Sequence, residues 1–111
     1  GIYSSNVVVS GIESPEIIIS NFELNQNYPN PFNPTTTIEY EIPESTPVTL
    51  KIYNIQGQEI ATLVNSDHIP GSYSVNWNGQ DRFGRPVASG TYIYQIKAGK
   101  HQASKQMVLM R

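Results

Sequence analysis

The sequence contains no cysteine, which removes disulfides, thiolate metal sites and thiol nucleophiles together and leaves the redox compartment open. A hydrophobic core alone must hold the fold. No apolar run approaches the roughly eighteen residues of a membrane-spanning helix, so no membrane insertion is expected. The start, Gly1-Ile2-Tyr3-Ser4-Ser5, lacks the basic residues and apolar stretch of a signal peptide. A glycine rather than a methionine at the first position points to a piece of a longer precursor. Charge is also scarce. Nine acidic against seven basic residues give a formal net charge of -2, without the broad cationic field that holds a phosphate backbone, so nucleic acid is not an expected partner. Finally, no stretch sustains the period of an amphipathic helix.

What is present favours strands. Seven tyrosines, three phenylalanines, one tryptophan and many Val, Ile and Thr residues are punctuated by eight glycines and eight prolines. The 111 residues fit one domain. Residues 1-20 stand apart: two apolar runs, Val7-Val8-Val9 and Ile17-Ile18-Ile19, flank the turn-like Gly11-Ile12-Glu13-Ser14-Pro15. They read as a linker, the tail of a preceding domain, or an added edge strand, ahead of a folded unit over 21-111. In Asn25 to Pro34 three prolines fix φ and disfavour helix in the residues before them, which predicts a stiff, ordered loop.

Period two begins after Thr35, with Ile38, Tyr40 and Ile42 on one face and Thr37, Glu39 and Glu41 on the other. A Glu44-Ser45-Thr46-Pro47 turn leads to Val48, Leu50 and Ile52 alternating with Thr49, Lys51 and Tyr53. Asn54-Ile55-Gln56-Gly57 then turns into a strand near Gln58 to Val64, and Asn65 to Pro70 reads as a polar loop. From Gly71, Tyr73, Val75 and Trp77 share a face, with Trp77 the expected core anchor. The turn-rich Asn78 to Pro86 leads through Ser89-Gly90 into Thr91 to Ala98, and Gly99-Lys100 closes a hairpin into Gln102 to Met110. Six or seven short antiparallel strands, spaced by turns at about ten residues, are the pattern of a sandwich or small barrel.

Candidates for chemistry are few. His68 and His101 are the only histidines, and neither has a second His or acidic residue at metal-ligand spacing, so both read as exposed polar residues. No serine sits in a nucleophile elbow, and no catalytic residue is assigned. Asp81, with Asn78 and Gln80, offers oxygen ligands for a calcium ion. Hydrogen bonding of Asp81 and Asn78 to their own turn is the preferred account, so no metal or other cofactor is expected. Glu39 and Glu41 share a strand face by default rather than as a glycosidase pair. The tyrosines could form a sugar-stacking platform, but most fall at inward or cross-strand positions. Gly79, Gly84 and Gly90 lack phosphate-loop spacing, so positive φ or close packing explains them better.

Several blocks taken in order carry a resemblance: Asn27-Tyr28-Pro29-Asn30-Pro31-Phe32-Asn33-Pro34-Thr35-Thr36, Ile52-Tyr53-Asn54-Ile55-Gln56-Gly57, Trp77-Asn78-Gly79 with Asp81 and Gly84, Ser89-Gly90-Thr91-Tyr92, and Lys105 to Arg111. Together they resemble the type IX secretion C-terminal sorting domain family, type A, over about Phe22 to Arg111. The region from Trp77 to Tyr92 is also similar to the immunoglobulin-like domain of the flagellar hook-capping protein.

The resemblance implies an all-β, immunoglobulin-like antiparallel β-sandwich of about seven strands; separately, no catalytic machinery is visible in the residues and nothing in the sequence demands a dimer, so a non-catalytic monomer is expected. The resemblance also implies a sorting tag: a cargo domain upstream in the same chain is carried through the periplasm to an outer-membrane type IX translocon. Either a sortase-like processing enzyme then removes the domain and the cargo is anchored at the cell surface, or the cargo is released. It further implies that Lys105, Gln106, Met107, Val108, Leu109, Met110 and Arg111 carry much of the signal. Asn30, Pro31, Asn33, Pro34, Gly57, Trp77, Gly79, Gly84, Gly90 and Tyr92 match family motifs that shape the fold. The alternative is an extracellular immunoglobulin-like accessory or carbohydrate-binding domain.

Overall fold

A computed structural model describes residues 21-111; the expectations for residues 1-20 lie outside the described residues. Seven strands follow in order: β1 (Glu23–Leu24), β2 (Thr36–Ile42), β3 (Thr46–Asn54), β4 (Glu59–His68), β5 (Gly71–Trp77), β6 (Gly90–Ala98) and β7 (His101–Leu109). They form a three-stranded sheet ordered β1-β2-β5 and a four-stranded sheet ordered β4-β3-β6-β7, with all strand pairs antiparallel. The result is an all-β sandwich of the immunoglobulin-like kind, not a closed barrel.

The alternation read from the sequence builds the core. Ile38, Tyr40 and Ile42 of β2 face Val48, Leu50 and Ile52 of β3 and Tyr92, Tyr94, Ile96 and Ala98 of β6, all buried. Successive side chains on a strand point to opposite faces, so every second residue enters the space between the sheets. Trp77 is 1 % exposed and its ring meets Phe32 at 5.7 Å and Tyr92 at 5.4 Å, which fulfils the anchor role. Its indole N–H donates to the Gln80 carbonyl at 2.9 Å, so the buried ring leaves no orphan donor.

Two expectations change. The polar loop predicted over Asn65 to Pro70 is largely strand: β4 continues to His68, with Asn65 opposite Thr49 and His68 opposite Thr46. Its exposed polar residues hid a strand whose backbone is held by β3. The Glu44 to Pro47 turn is correspondingly shorter, because Thr46 and Pro47 already pair with β4. The proline-rich loop is ordered, as expected, and is tied in by bridges of Tyr28 to Thr37 and of Phe32 to Leu109.

Antiparallel order sorts the connections to two ends. One end carries the β2–β3, β4–β5 and β6–β7 connections. The other carries the β1–β2 loop, the β3–β4 turn, the β5–β6 loop and the last two residues.

Candidate functional site: the last strand and the loops around it

Among the described residues, β7 forms one edge of the four-stranded sheet and has β6 as its one strand partner. The last half of that edge is covered by side chains and backbone from the β1–β2 loop. The Val108 amide donates to Asn30 Oδ1 at 3.0 Å, and the Val108 carbonyl accepts from the Phe32 amide at 3.0 Å. The Met110 amide donates to the Phe32 carbonyl at 2.9 Å. Gln26 Nε2 donates to the Gln106 carbonyl at 2.7 Å. An uncovered strand edge presents unpaired donors and acceptors; here the loop satisfies those from Gln106 onward.

The loop is itself fixed from below. Tyr94 Oη accepts from the Asn27 amide at 2.8 Å and donates to the Asn25 carbonyl at 2.7 Å. Burial pushes the Tyr94 hydroxyl up to about 12, against a lowering contribution from the Asn27 hydrogen bond. Asn27, itself buried, donates through Nδ2 to Thr36 Oγ1 at 3.0 Å.

Arg111 closes the arrangement. Its Nε donates to the Val87 carbonyl at 2.7 Å, its Nη2 to the Gly79 carbonyl at 2.6 Å, and its amide to Ser89 Oγ at 2.9 Å. Gly79 has φ +74, and a Cβ there would stand 2.8 Å from Arg111 Nη2 and 3.2 Å from the Pro34 carbonyl oxygen. Glycine is thus required both for backbone conformation and for the approach of Arg111.

The structure divides the Lys105 to Arg111 segment by face. Met107 and Leu109 are fully buried core residues. Gln106, Met110 and Arg111 are exposed, and Lys105 and Val108 are intermediate. A partner touching the folded domain meets only the second and third groups.

The motif residues gather at the same end. Asn30 clamps β7, Trp77 and Tyr92 pack edge to face, and Tyr92 Oη donates to the Ala88 carbonyl at 2.7 Å. Pro31, Asn33 and Pro34 are exposed along the β1–β2 loop. Gly57 donates its amide to the Asn54 carbonyl in the β3–β4 turn. Gly90 opens β6 with nothing within 4 Å of an added Cβ.

Asp81 spends its carboxylate on its own turn, as preferred from the sequence. Oδ1 accepts from the Phe83 and Arg85 amides at 2.9 and 3.0 Å, and Oδ2 lies 3.3 Å from Arg85 Nε. The Arg85 amide above all, with Phe83 and the guanidinium, holds the carboxyl below the usual carboxylate range, against the opposing effect of desolvation. Asn78 reaches only Gln80 Oε1, at 3.3 Å.

The histidines correct the sequence reading, since both are half-buried rather than exposed. His68 Nε2 lies 2.8 Å from the Tyr40 hydroxyl, and its ring stands 4.2 Å from that of Tyr73. His101 stacks on Phe22 at 5.0 Å. A hollow at the opposite end includes Ser45, Asp67 and His68. Asp67 and His68 are adjacent on β4 and so point to opposite faces, and the hydrogen-bond partner of His68 is Tyr40 instead.

The tyrosines also divide. Tyr40, Tyr92 and Tyr94 are buried, and Tyr28 is 80 % exposed. The ring pairs among the described residues that involve tyrosine all include a core ring, Tyr40, Trp77 or Tyr92, or His68 beside Tyr40.

The family described as FlgD Ig-like domain matches residues 30–102, about two thirds of the chain. The chain belongs to that family. Among solved structures, dimeric latent PorU from Porphyromonas gingivalis is similar over 96% of this chain and 10% of its own, with 17% identity and a TM-score of 0.65. PorZ of the same organism is similar over 85% and 12%, with 21% identity and a TM-score of 0.51. FlgD from P. aeruginosa is similar over 84% and 74%, with 17% identity and a TM-score of 0.53. At these identities the likeness is one of fold. The chain thus spans only about a tenth of the length of PorU or PorZ. Curated proteins gave no match. Within the FlgD Ig-like span fall Asn30, Trp77, Gly79, Gly84, Gly90 and Tyr92, whereas Lys105 to Arg111 lie beyond it.

Proposed function

We propose that this FlgD Ig-like domain is a non-catalytic sorting module that directs a larger protein through the type IX outer-membrane translocon to the cell surface or medium. The observation that carries it is the tied-down last strand. Residues far apart in sequence, Gln26, Asn30, Phe32, Gly79 and Val87, all bond to β7 or its continuation, and they lie in or beside the blocks that resemble the type IX sorting family. The likeness to PorZ, described as an essential surface component of the type IX secretion system, agrees with the reading.

In this account the domain is monomeric and holds no cofactor. Its partners are translocon components and a sortase-like processing enzyme, with the cargo upstream in the same chain. The hydrogen-bonded clamps present β7 in one geometry, so recognition reads a folded surface rather than a loose tail. Side chains on a backbone already held by its neighbours lose little further entropy on binding.

The test is delivery of a passenger. The chain is fused behind a fluorescent protein carrying a signal peptide in a bacterium with a working type IX system. Surface or medium fluorescence is the expected outcome; accumulation in the periplasm would defeat the proposal.

A further inference from the structure

The five large hydrophobic residues exposed among the described residues are not scattered. Tyr28, Ile55, Phe83 and Met110, exposed by 80, 67, 69 and 56 %, all lie at the end that carries the β1–β2, β3–β4 and β5–β6 connections; only Ile69 lies at the other. The sequence has three arginines, Arg82, Arg85 and Arg111, and all three are at that same end. The far end holds the carboxylates Glu23, Glu41, Glu44 and Asp67 together with Lys97 and Lys100.

Among the described residues, the carboxylates near these arginines are Asp81 and Glu59. Asp81 is bound to its turn and to Arg85, and Glu59 pairs with Lys51 at 3.4 Å while also feeling the charge of Arg82. The Arg111 guanidinium is bonded to the Val87 and Gly79 carbonyls, which orient its charge without neutralising it.

The apolar groups stand on rigid supports. Asp81 caps the turn beneath Phe83, the Arg82 amide bonds to the Ile60 carbonyl, and the guanidinium carbons of Arg82 and Arg85 lie 5.5 and 4.9 Å from the Phe83 ring centroid. Ile55 borders a hollow of about 260 Å³ together with Ser89, Gly90 and Tyr92. Gly90 leaves that hollow open, since it has no side chain and no atom near where one would begin. Aromatic residues, methionine and arginine are the side chains enriched at protein interfaces, and strongly bound contacts centre on Tyr and Arg.

We infer that this end is a docking face for a protein receptor whose contact surface is acidic around an apolar centre. Phe83 and Ile55 supply the apolar contacts, and Arg82 and Arg111, the two guanidiniums outside an ion pair among the described residues, meet carboxylates on the receptor. Opposite potentials of this kind select and orient the partner. The inference rests on the sorting reading and names the surface through which sorting acts; it places Gly90 at the contact.

The passenger assay decides it. Ile55→Asp, Phe83→Glu and Arg82→Glu are introduced singly into the full chain, with Ile69→Asp as the matched change at the opposite end. Thermal midpoints are compared first; where an acidic variant is less stable than the original, Ile55→Ser or Phe83→Ser replaces it. Surface signal should fall about tenfold for the three variants at the loop-bearing end, the loss expected where receptor affinity drops by about 1.4 kcal/mol, and stay unchanged for Ile69→Asp. Undiminished delivery of all three overturns the docking face while leaving the sorting role intact. An unmodified fusion that is never delivered overturns both.

Discussion

Arg111 and Gly79 are matched to each other: the guanidinium Nη2 donates to the Gly79 carbonyl at 2.6 Å and would lie 2.8 Å from any Cβ at that glycine. The contact joins the last residue to the turn after Trp77, 32 positions away. Gly79→Ala should destabilise by about 1–3 kcal/mol, because alanine at positive φ is strained, and the clash adds to it. Arg111→Ala should partly relieve the clash, so the double variant should be more stable than the sum of the single losses indicates. Urea titration of all three variants checks this; strict additivity would mean that the two residues do not interact.

Trp77 is the largest fully buried side chain. Trp77→Ala should cost about 3–5 kcal/mol, and a loss below about 1 kcal/mol in denaturant titration would contradict its placement between Phe32 and Tyr92.

The Asn30 clamp acts at the surface, where water can replace it. Asn30→Ala should therefore cost no more than about 1 kcal/mol but markedly shorten the hydrogen-exchange lifetime of the Val108 amide. Unchanged exchange at Val108 would show that the side chain does not hold the strand.

Tyr94 makes the opposite case. Phenylalanine there leaves the Asn27 amide buried without its acceptor, so Tyr94→Phe should cost about 1–3 kcal/mol. Alkaline titration gives a second readout. Burial, with the neighbouring Tyr73 adding to it, pushes the Tyr40 hydroxyl up to about 12, and burial does the same at Tyr94. The folded state thus holds these protons more tightly than the unfolded chain, whose tyrosines ionise near 10. Their contribution to stability is fully present below pH 10 and is lost as the pH rises to about 12. The urea midpoint should decline more gently over that window in Tyr94→Phe than in the original protein. Equal slopes would count against the buried hydroxyl.

Much of this fold is legible in the sequence because local pattern and tertiary position agree. Val48, Leu50 and Ile52 alternate with polar residues and are the residues found fully buried. The turn glycines and prolines mark the strand ends. Where position depends on a distant partner, the sequence is silent. Asn65 to His68 are polar and read as a loop, yet lie in β4 because β3 supplies the hydrogen bonds. His68 looks exposed until the sheets bring Tyr40 and Tyr73 against it. The clamps from Gln26 and Asn30 onto β7 span about eighty positions, beyond any local pattern. The family blocks include Asn30, Phe32, Gly79, Ser89 and Arg111 of the candidate site but not Gln26 or Val87. They did not show that Met107 and Leu109, inside the segment expected to carry the signal, are core. For that reason deletion of Lys105 to Arg111 is a poor test of recognition: it removes core side chains along with surface ones and would block delivery by unfolding.

The most direct measurement of the sorting role is therefore made on the intact chain, fused behind a signal-peptide-bearing fluorescent protein and expressed in matched bacterial strains with and without the type IX translocon. Fluorescence at the surface or in the medium of the first strain, and in the periplasm of the second, is the predicted result. Periplasmic retention in both would contradict the account and favour an extracellular accessory or carbohydrate-binding role for the same sandwich.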